Sequence, residues 1–135
     1  MATTIIENIS RQYRDLDLNF IVHPIKKDIN KNVNEMAVIN SIKNIVLTNR
    51  FEKPFDPDFG SDVRRLLFEN LDTITASVLE REIETCITNY EPRVILNGVS
   101  VSPDFENNSF KVDMQFSIEN TSEPVTISFL LERLR

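Results

Sequence analysis

The sequence predicts an α+β protein: three helices packed on a mainly antiparallel sheet that ends in a C-terminal three-stranded meander. Three observations carry this reading. Apolar residues recur at helical spacing between residue 34 and Tyr90. From residue 93 the period changes to two. The join is Pro92, which cannot continue a helix because it lacks an amide proton and its ring clashes with the preceding turn. The 135 residues suit one domain with a usable core. They divide into an N-terminal segment with a strand (1–33), a helical part (34–91) and a β-meander (93–135).

In chain order, Ile5, Ile6 and Ile9 sit at helical spacing and allow a short N-terminal helix. Leu16 to Val22 alternates apolar and polar, as a half-buried strand does, and Pro24 ends it by removing a ladder donor. Residues 25–33 read as a polar connector. Asn32 or Asn34 is the expected cap of the next helix, because a short side-chain oxygen can accept an orphan amide. That helix carries Val38, Ile39, Ile42, Ile45 and Val46 on one face, with Asn40, Lys43, Asn44 and Thr48 mostly opposite. Arg50 to Gly60 is a loop punctuated by Pro54, Pro57 and Gly60. Phe51, Phe55 and Phe59 recur at every fourth position, yet the prolines forbid a helix, so at least two rings are expected to fold inward and pin the loop. Ser61 is the expected cap of a second helix reaching Asn70, with Val63, Leu66 and Leu67 inward. Thr75 is the expected cap of a third helix to Tyr90. Its inner stripe holds Leu79, Ile83, Cys86 or Ile87, and Tyr90, while Glu80, Arg81, Glu82 and Glu84 face solvent.

In the meander, Ile95, Val99 and Val101 are expected on one face of the first strand, closed by Pro103 and an Asn107–Asn108 turn. Phe110, Val112, Met114, Phe116 and Ile118 alternate with polar residues, the clearest strand signal in the chain. Val125, Ile127, Phe129 and Leu131 repeat the pattern. One face of such a meander is wet and the helices should cover the other. At least one edge stays open unless the N-terminal strand pairs with it, and an open edge invites another chain. Leu130, Leu131 and Leu134 place apolar groups on both faces near the C-terminus, which points to a partner on the second face.

Composition narrows the function. The net charge of −6 and the dilution of Lys26, Lys27, Lys31 and Arg64–Arg65 by nearby acids argue against a nucleic-acid partner. No apolar run approaches the roughly 20 residues that span a bilayer, and no signal-peptide pattern opens the chain, so no membrane partner is expected. Two glycines against six prolines leave few joints for a hinged lid. The single cysteine, Cys86, fits a reducing compartment and a buried apolar role. His23 is the only histidine, so Ser-His or Cys-His catalysis and a zinc site lack their parts, and no metal or cofactor is expected. No glycine loop cradles phosphate. Paired carboxylates remain as a route to glycoside hydrolysis, with Glu69, Glu91, Asp56 and Asp58 as candidates. Arg93 beside Glu91 would lower its pKa, which suits a structural ion pair better than a general acid. No catalytic residue is therefore assigned.

Three motifs occur in order: Pro54-Phe55-Asp56-Pro57-Asp58-Phe59-Gly60, Leu67-Phe68-Glu69, and Tyr90-Glu91-Pro92-Arg93. Together they resemble the small baseplate wedge protein of contractile-tailed phages, also called the sheath initiator, which has a relative in the type VI secretion baseplate. The resemblance implies a structural protein of the virion tail, assembled in the host cytoplasm, with six copies ringing the tube on the inner baseplate. It implies that Glu91, Pro92 and Arg93 contact the wedge core, and that Pro54, Phe55, Asp56, Pro57, Phe59 and Gly60 form a structural loop. It also implies that the strand bearing Val125, Ile127, Phe129 and Leu131 exchanges with the tail sheath protein. The partners implied are other wedge proteins, the sheath and the tube. Relatives labelled lysozyme-like make a cell-wall glycoside hydrolase the alternative.

Overall fold

A computed structural model describes residues 13–16, 22, 24, 25, 27, 31–119, 121 and 123–134. The expected N-terminal helix, His23 and most of the strand expected over Leu16–Val22 lie outside those residues. The elements run β1 (Arg14–Leu16), β2 (Lys31–Val33), α1 (Glu35–Leu47), α2 (Val63–Leu66), α3 (Thr73–Tyr90), β3 (Val94–Asp104), β4 (Ser109–Ile118) and β5 (Pro124–Glu132). Strands β3, β4 and β5 form an antiparallel meander in that spatial order, and β1 pairs with β2 in a separate two-stranded sheet. The α+β architecture of three helices and an antiparallel meander is therefore the one the sequence predicts.

The core lies between the helices and one face of the meander. Val38, Ile42 and Val46 of α1, Leu79, Ile83 and Ile87 of α3, and Phe110, Val112, Met114, Phe116 and Ile118 of β4 belong to one buried cluster. Burial of these side chains is the main stabilising term, at about 1.5–3 kcal/mol for each large apolar group. Strand β4 is central and contributes every inward position of its length; β5 is an edge, so Val125, Ile127 and Phe129 are only half buried.

Several local expectations differ in the structure. The stretch over 25–33 that reads as a polar connector ends in a strand, β2, because Lys31–Val33 pairs antiparallel with Arg14–Leu16. Asn34 occupies the cap position of α1 but makes no capping bond; its Oδ1 accepts the Tyr13 amide (3.1 Å) and its amide donates to the Tyr13 carbonyl (2.7 Å). The residue that caps α3 is Asp72, whose Oδ1 accepts the amide of Thr75 (2.7 Å). That amide holds the Asp72 carboxyl below the usual carboxylate range. The second helix is a single turn, because beyond Leu67 the amides of Phe68 and Glu69 bond three residues back, to Arg65 and Leu66. Ser61 still serves its start: the hydroxyl accepts the Val63 amide (3.4 Å) while donating to the Val46 carbonyl of α1 (2.6 Å).

The inward face of β3 also differs from the one expected. Ile95 does not share a face with Val99 and Val101; it is exposed, and Val94 and Leu96 point inward instead. A bulge causes this. Leu96 pairs with Phe116 and Gly98 with Gln115, leaving Asn97 as an extra residue that flips the parity of the strand. The Asn97 amide nitrogen Nδ2 donates to the Ser117 hydroxyl (3.0 Å), which holds the bulge to β4.

Candidate functional site

The Glu91–Arg93 corner is built by the end of α3. The Glu91 amide closes the helix on the Ile87 carbonyl (2.9 Å), and Pro92 stops further winding. The chain turns, and the Val94 amide bonds the Glu91 carbonyl (3.2 Å) at the start of β3. This turn brings the two charged side chains together. Arg93 Nε and one terminal nitrogen donate to the two Glu91 oxygens, each at 2.6 Å, a bidentate fork. Glu91 is only 2% exposed. Burial alone would push its carboxyl up, but hydrogen bonds from Arg93 and from Ser41 of α1 outweigh it and hold the group below the ordinary range. On its other side the Arg93 guanidinium stacks over the Tyr13 ring, 5.2 Å from the centroid. The Arg93 carbonyl accepts the Glu119 amide (2.9 Å), which joins the corner to the end of β4. Pro92 is the exposed member of the three.

Tyr13 and Ser41 were not legible as site residues. They lie far from the corner in sequence, and nothing in their local pattern marks them.

The 49–60 loop is three consecutive β-turns. Glu52 N bonds Asn49 O (3.3 Å), Asp56 N bonds Lys53 O (3.4 Å) and Phe59 N bonds Asp56 O (3.3 Å). Its base is closed by Phe51 N to Pro57 O (2.9 Å) and Ser61 N to Thr48 O (2.8 Å). Gly60 sits at φ +115°, and a Cβ there would lie 2.6 Å from the Thr48 carbonyl oxygen, so only glycine fits. Phe59 packs on Tyr90 with ring centroids 5.0 Å apart, and the Tyr90 hydroxyl donates to the Asp58 carbonyl. The Cys86 thiol donates to the Gly60 carbonyl (3.2 Å), and burial pushes its pKa up to about 11, so it is a structural thiol. The expectation of two inward rings fails: Phe59 is half buried, whereas Phe51 and Phe55 are exposed. Both have positive φ, 65° and 69°, which turns their side chains away from the body.

The third surface is the free side of β5. No strand pairs with it there among the described residues. Its inward residues Val125, Ile127 and Phe129 pack on the core and Leu131 is buried, so Thr126, Ser128 and Leu130 are the outward ones. The end of β5 is braced: Leu134 N bonds Leu67 O (3.1 Å), Arg133 N bonds Asn108 O (3.1 Å), and Arg133 Nε bonds Glu69 O (2.9 Å). Beside it lies a groove of about 290 Å³ lined by Leu47, Val63, Arg64, Leu67, Leu130 and Leu134, among others. At β3, by contrast, Glu80 Oε2 accepts the Val101 amide (3.3 Å), so α3 already occupies one amide there. Glu80 and Glu82 are thus half buried and engaged, not free in solvent; Glu82 Oε1 accepts from Arg50 and from the Asp62 amide, each at 3.0 Å. Among the described residues no three His, Cys, Asp or Glu side chains are grouped to hold a metal ion, and no helix is long and apolar enough to cross a membrane.

The chain is 36% identical to the baseplate wedge protein gp25 of Enterobacteria phage T4 over 122 residues, covering 87% of this chain and 89% of that one. A solved chain from Geobacter sulfurreducens that carries the name tail lysozyme superposes with a TM-score of 0.69 at 24% identity, covering 75% of this chain and 92% of its own. A chain of the anti-feeding prophage baseplate superposes with a TM-score of 0.62 at 17% identity, covering 92% and 88%. The model of the family "Baseplate wedge protein gp25" matches residues 33–123, and on that match and the T4 identity the chain belongs to this family.

Proposed function

We propose that this chain is a structural subunit of a contractile-tail baseplate that starts the sheath by lending it a strand edge. As a member of a baseplate wedge family, it is a component of the tail baseplate. The observation that carries the finer reading is the state of β5: an edge strand, unpaired on one side among the described residues, braced at its C-terminal end, with an apolar groove beside it. Such an edge recruits an extended segment through backbone hydrogen bonds, while the groove takes an apolar side chain. Six copies around the tube would present six edges in one register and act together by avidity. The anti-feeding prophage baseplate that contains a similar chain is six-fold symmetrised. A single core uniting α1, α3 and the meander supports treating the chain as one domain.

The Glu91–Pro92–Arg93 corner is proposed as the wedge contact. With Glu91 buried and forked to Arg93, the surface offered to a partner is Pro92 and the outer side of Arg93. The pair acts as an internal strut that fixes the shape of that surface. The same fork argues against the hydrolase alternative, since a general acid needs a raised pKa and Glu91 is held low.

Cryo-electron microscopy of the intact tail, with this chain located in the map, tests both parts. Six copies around the tube with β5 continued by a strand of the first sheath ring is the expected result. A peripheral position without sheath contact removes the initiator role. Cell-wall hydrolysis by the purified chain that is lost in Glu69→Gln or Glu91→Gln would restore the enzyme.

A further inference from the structure

Phe51 and Phe55 each occupy the third position of a β-turn with φ above +60°. That position favours glycine or asparagine, because a Cβ crowds the backbone there. A bulky aromatic residue in this region is strained. Strain of this kind is normally offset by packing, yet Phe55 is fully exposed and Phe51 is 79% exposed. Neither ring stabilises the isolated fold, although a glycine or asparagine would suit both turns better.

The loop that carries them is rigid. Two prolines, three turn bonds and two closing bonds fix its backbone. Lys53 lies 3.2 Å from Asp56 and 4.2 Å over the Phe59 ring, so its charge is used internally. Glu52 bonds the Asn49 amide at the loop base. Arg50 is likewise committed to Glu82 and Asp62. Asp58 is exposed on the outer side. The loop tip therefore offers aromatic rings amid net negative charge.

We infer that this loop is a docking plug: Phe55, supported by Phe51, inserts into an apolar socket with a basic rim on a different baseplate protein. Preorganisation explains the design. A ring already held outward by its backbone loses little conformational entropy on insertion, and a buried aromatic anchor is a typical source of binding energy. The inference rests on the baseplate reading above but uses a surface distinct from β5 and from the Glu91–Arg93 corner.

The test uses tails assembled in cells whose copy of this gene is replaced by variants. Phe55→Asn and Phe55→Gly keep the turn. The purified variants are expected to melt at the same temperature as the parent or about 1–4 °C higher. Their amount in purified baseplates is expected to fall about 30-fold, the loss typical of an anchor residue. A photoreactive benzoylphenylalanine at position 55 should crosslink, in assembled tails, to one peptide of another baseplate protein. Asp58→Lys should lower that crosslink yield. Incorporation of Phe55→Asn at the parental level overturns the inference. So do crosslinks only to a second copy of this chain, no crosslink at all, or a yield indifferent to Asp58→Lys. Absence of the parent chain from purified baseplates would instead sink the baseplate reading itself.

Discussion

Arg93 holds more of the structure than its half-exposed position suggests. It neutralises a buried carboxylate, stacks on Tyr13 and carries the backbone bond to Glu119. Replacing it with methionine keeps the stem but leaves Glu91 buried beside Ser41 alone. The expected cost is about 2–3 kcal/mol, at the low end for breaking a buried pair because Arg93 itself is 27% exposed. Urea denaturation at neutral pH measures it. The same pair sets an acid limb. The folded Glu91 carboxyl sits below its unfolded value, so its contribution is complete above about pH 4–5 and is lost as pH falls through the folded value. Asp104 and Asp113, also held low by hydrogen bonds from Asn107 and Ser128, act in the same direction. Stability should therefore fall with acidity, and Arg93→Met should flatten the limb; an unchanged slope in that variant would contradict the assignment. Gly60→Ala faces both a positive φ and the Thr48 carbonyl, and should cost about 2 kcal/mol or more.

Among the elements, α3 and β3 show how small local features set the layout. Asp72→Ala removes the one side-chain cap of α3, and faster hydrogen exchange at the Thr75 amide is the expected readout. In β3, deleting Asn97 should restore an uninterrupted ladder with Val94, Leu96, Val99 and Val101 all still inward. That variant is expected to fold, with Val99 and Val101 retaining their exchange protection. Loss of the fold would mean the curvature imposed by the bulge is itself needed. The helix periods were readable because α1 and α3 each bury one stripe. The bulge was not, because the sequence between Leu96 and Val99 is compatible with either parity and only the pairing with β4 chooses.

The molecule presents its three surfaces from one core, and that limits how each can be probed. Removing residues 125–135 would strip Leu131 and the four half-buried side chains of Val125, Ile127, Phe129 and Leu134 from the core, so loss of sheath growth in such a truncation would report unfolding. Charges on the outward positions are the sharper probe, since they oppose edge pairing without entering the core. Thr126→Lys with Leu130→Lys should leave the melting temperature within a few degrees of the parent, leave baseplate incorporation intact and abolish sheath nucleation. Normal sheath assembly on these baseplates would remove β5 from the mechanism.

The types and order of the three helices and the three meander strands, the inward set of β4 and β5, and the proline corner after α3 follow from the sequence alone, because each depends on periodicity or on proline's missing donor; the strand β2 (Lys31–Val33), within a stretch that reads as a polar connector, does not. It also carried the family through three short motifs. Tertiary structure decided the rest. It chose Asp72 over Thr75 as a cap and used Asn34 to hold Tyr13, because several nearby polar side chains can satisfy an orphan amide and packing selects among them. It left Phe51 and Phe55 exposed, at the third positions of two hydrogen-bonded loop turns where both have positive φ, a geometry that the every-fourth-residue spacing of the rings does not reveal. It buried Glu91 between Arg93 and Ser41, a meeting of α1 with the end of α3 that no local pattern encodes.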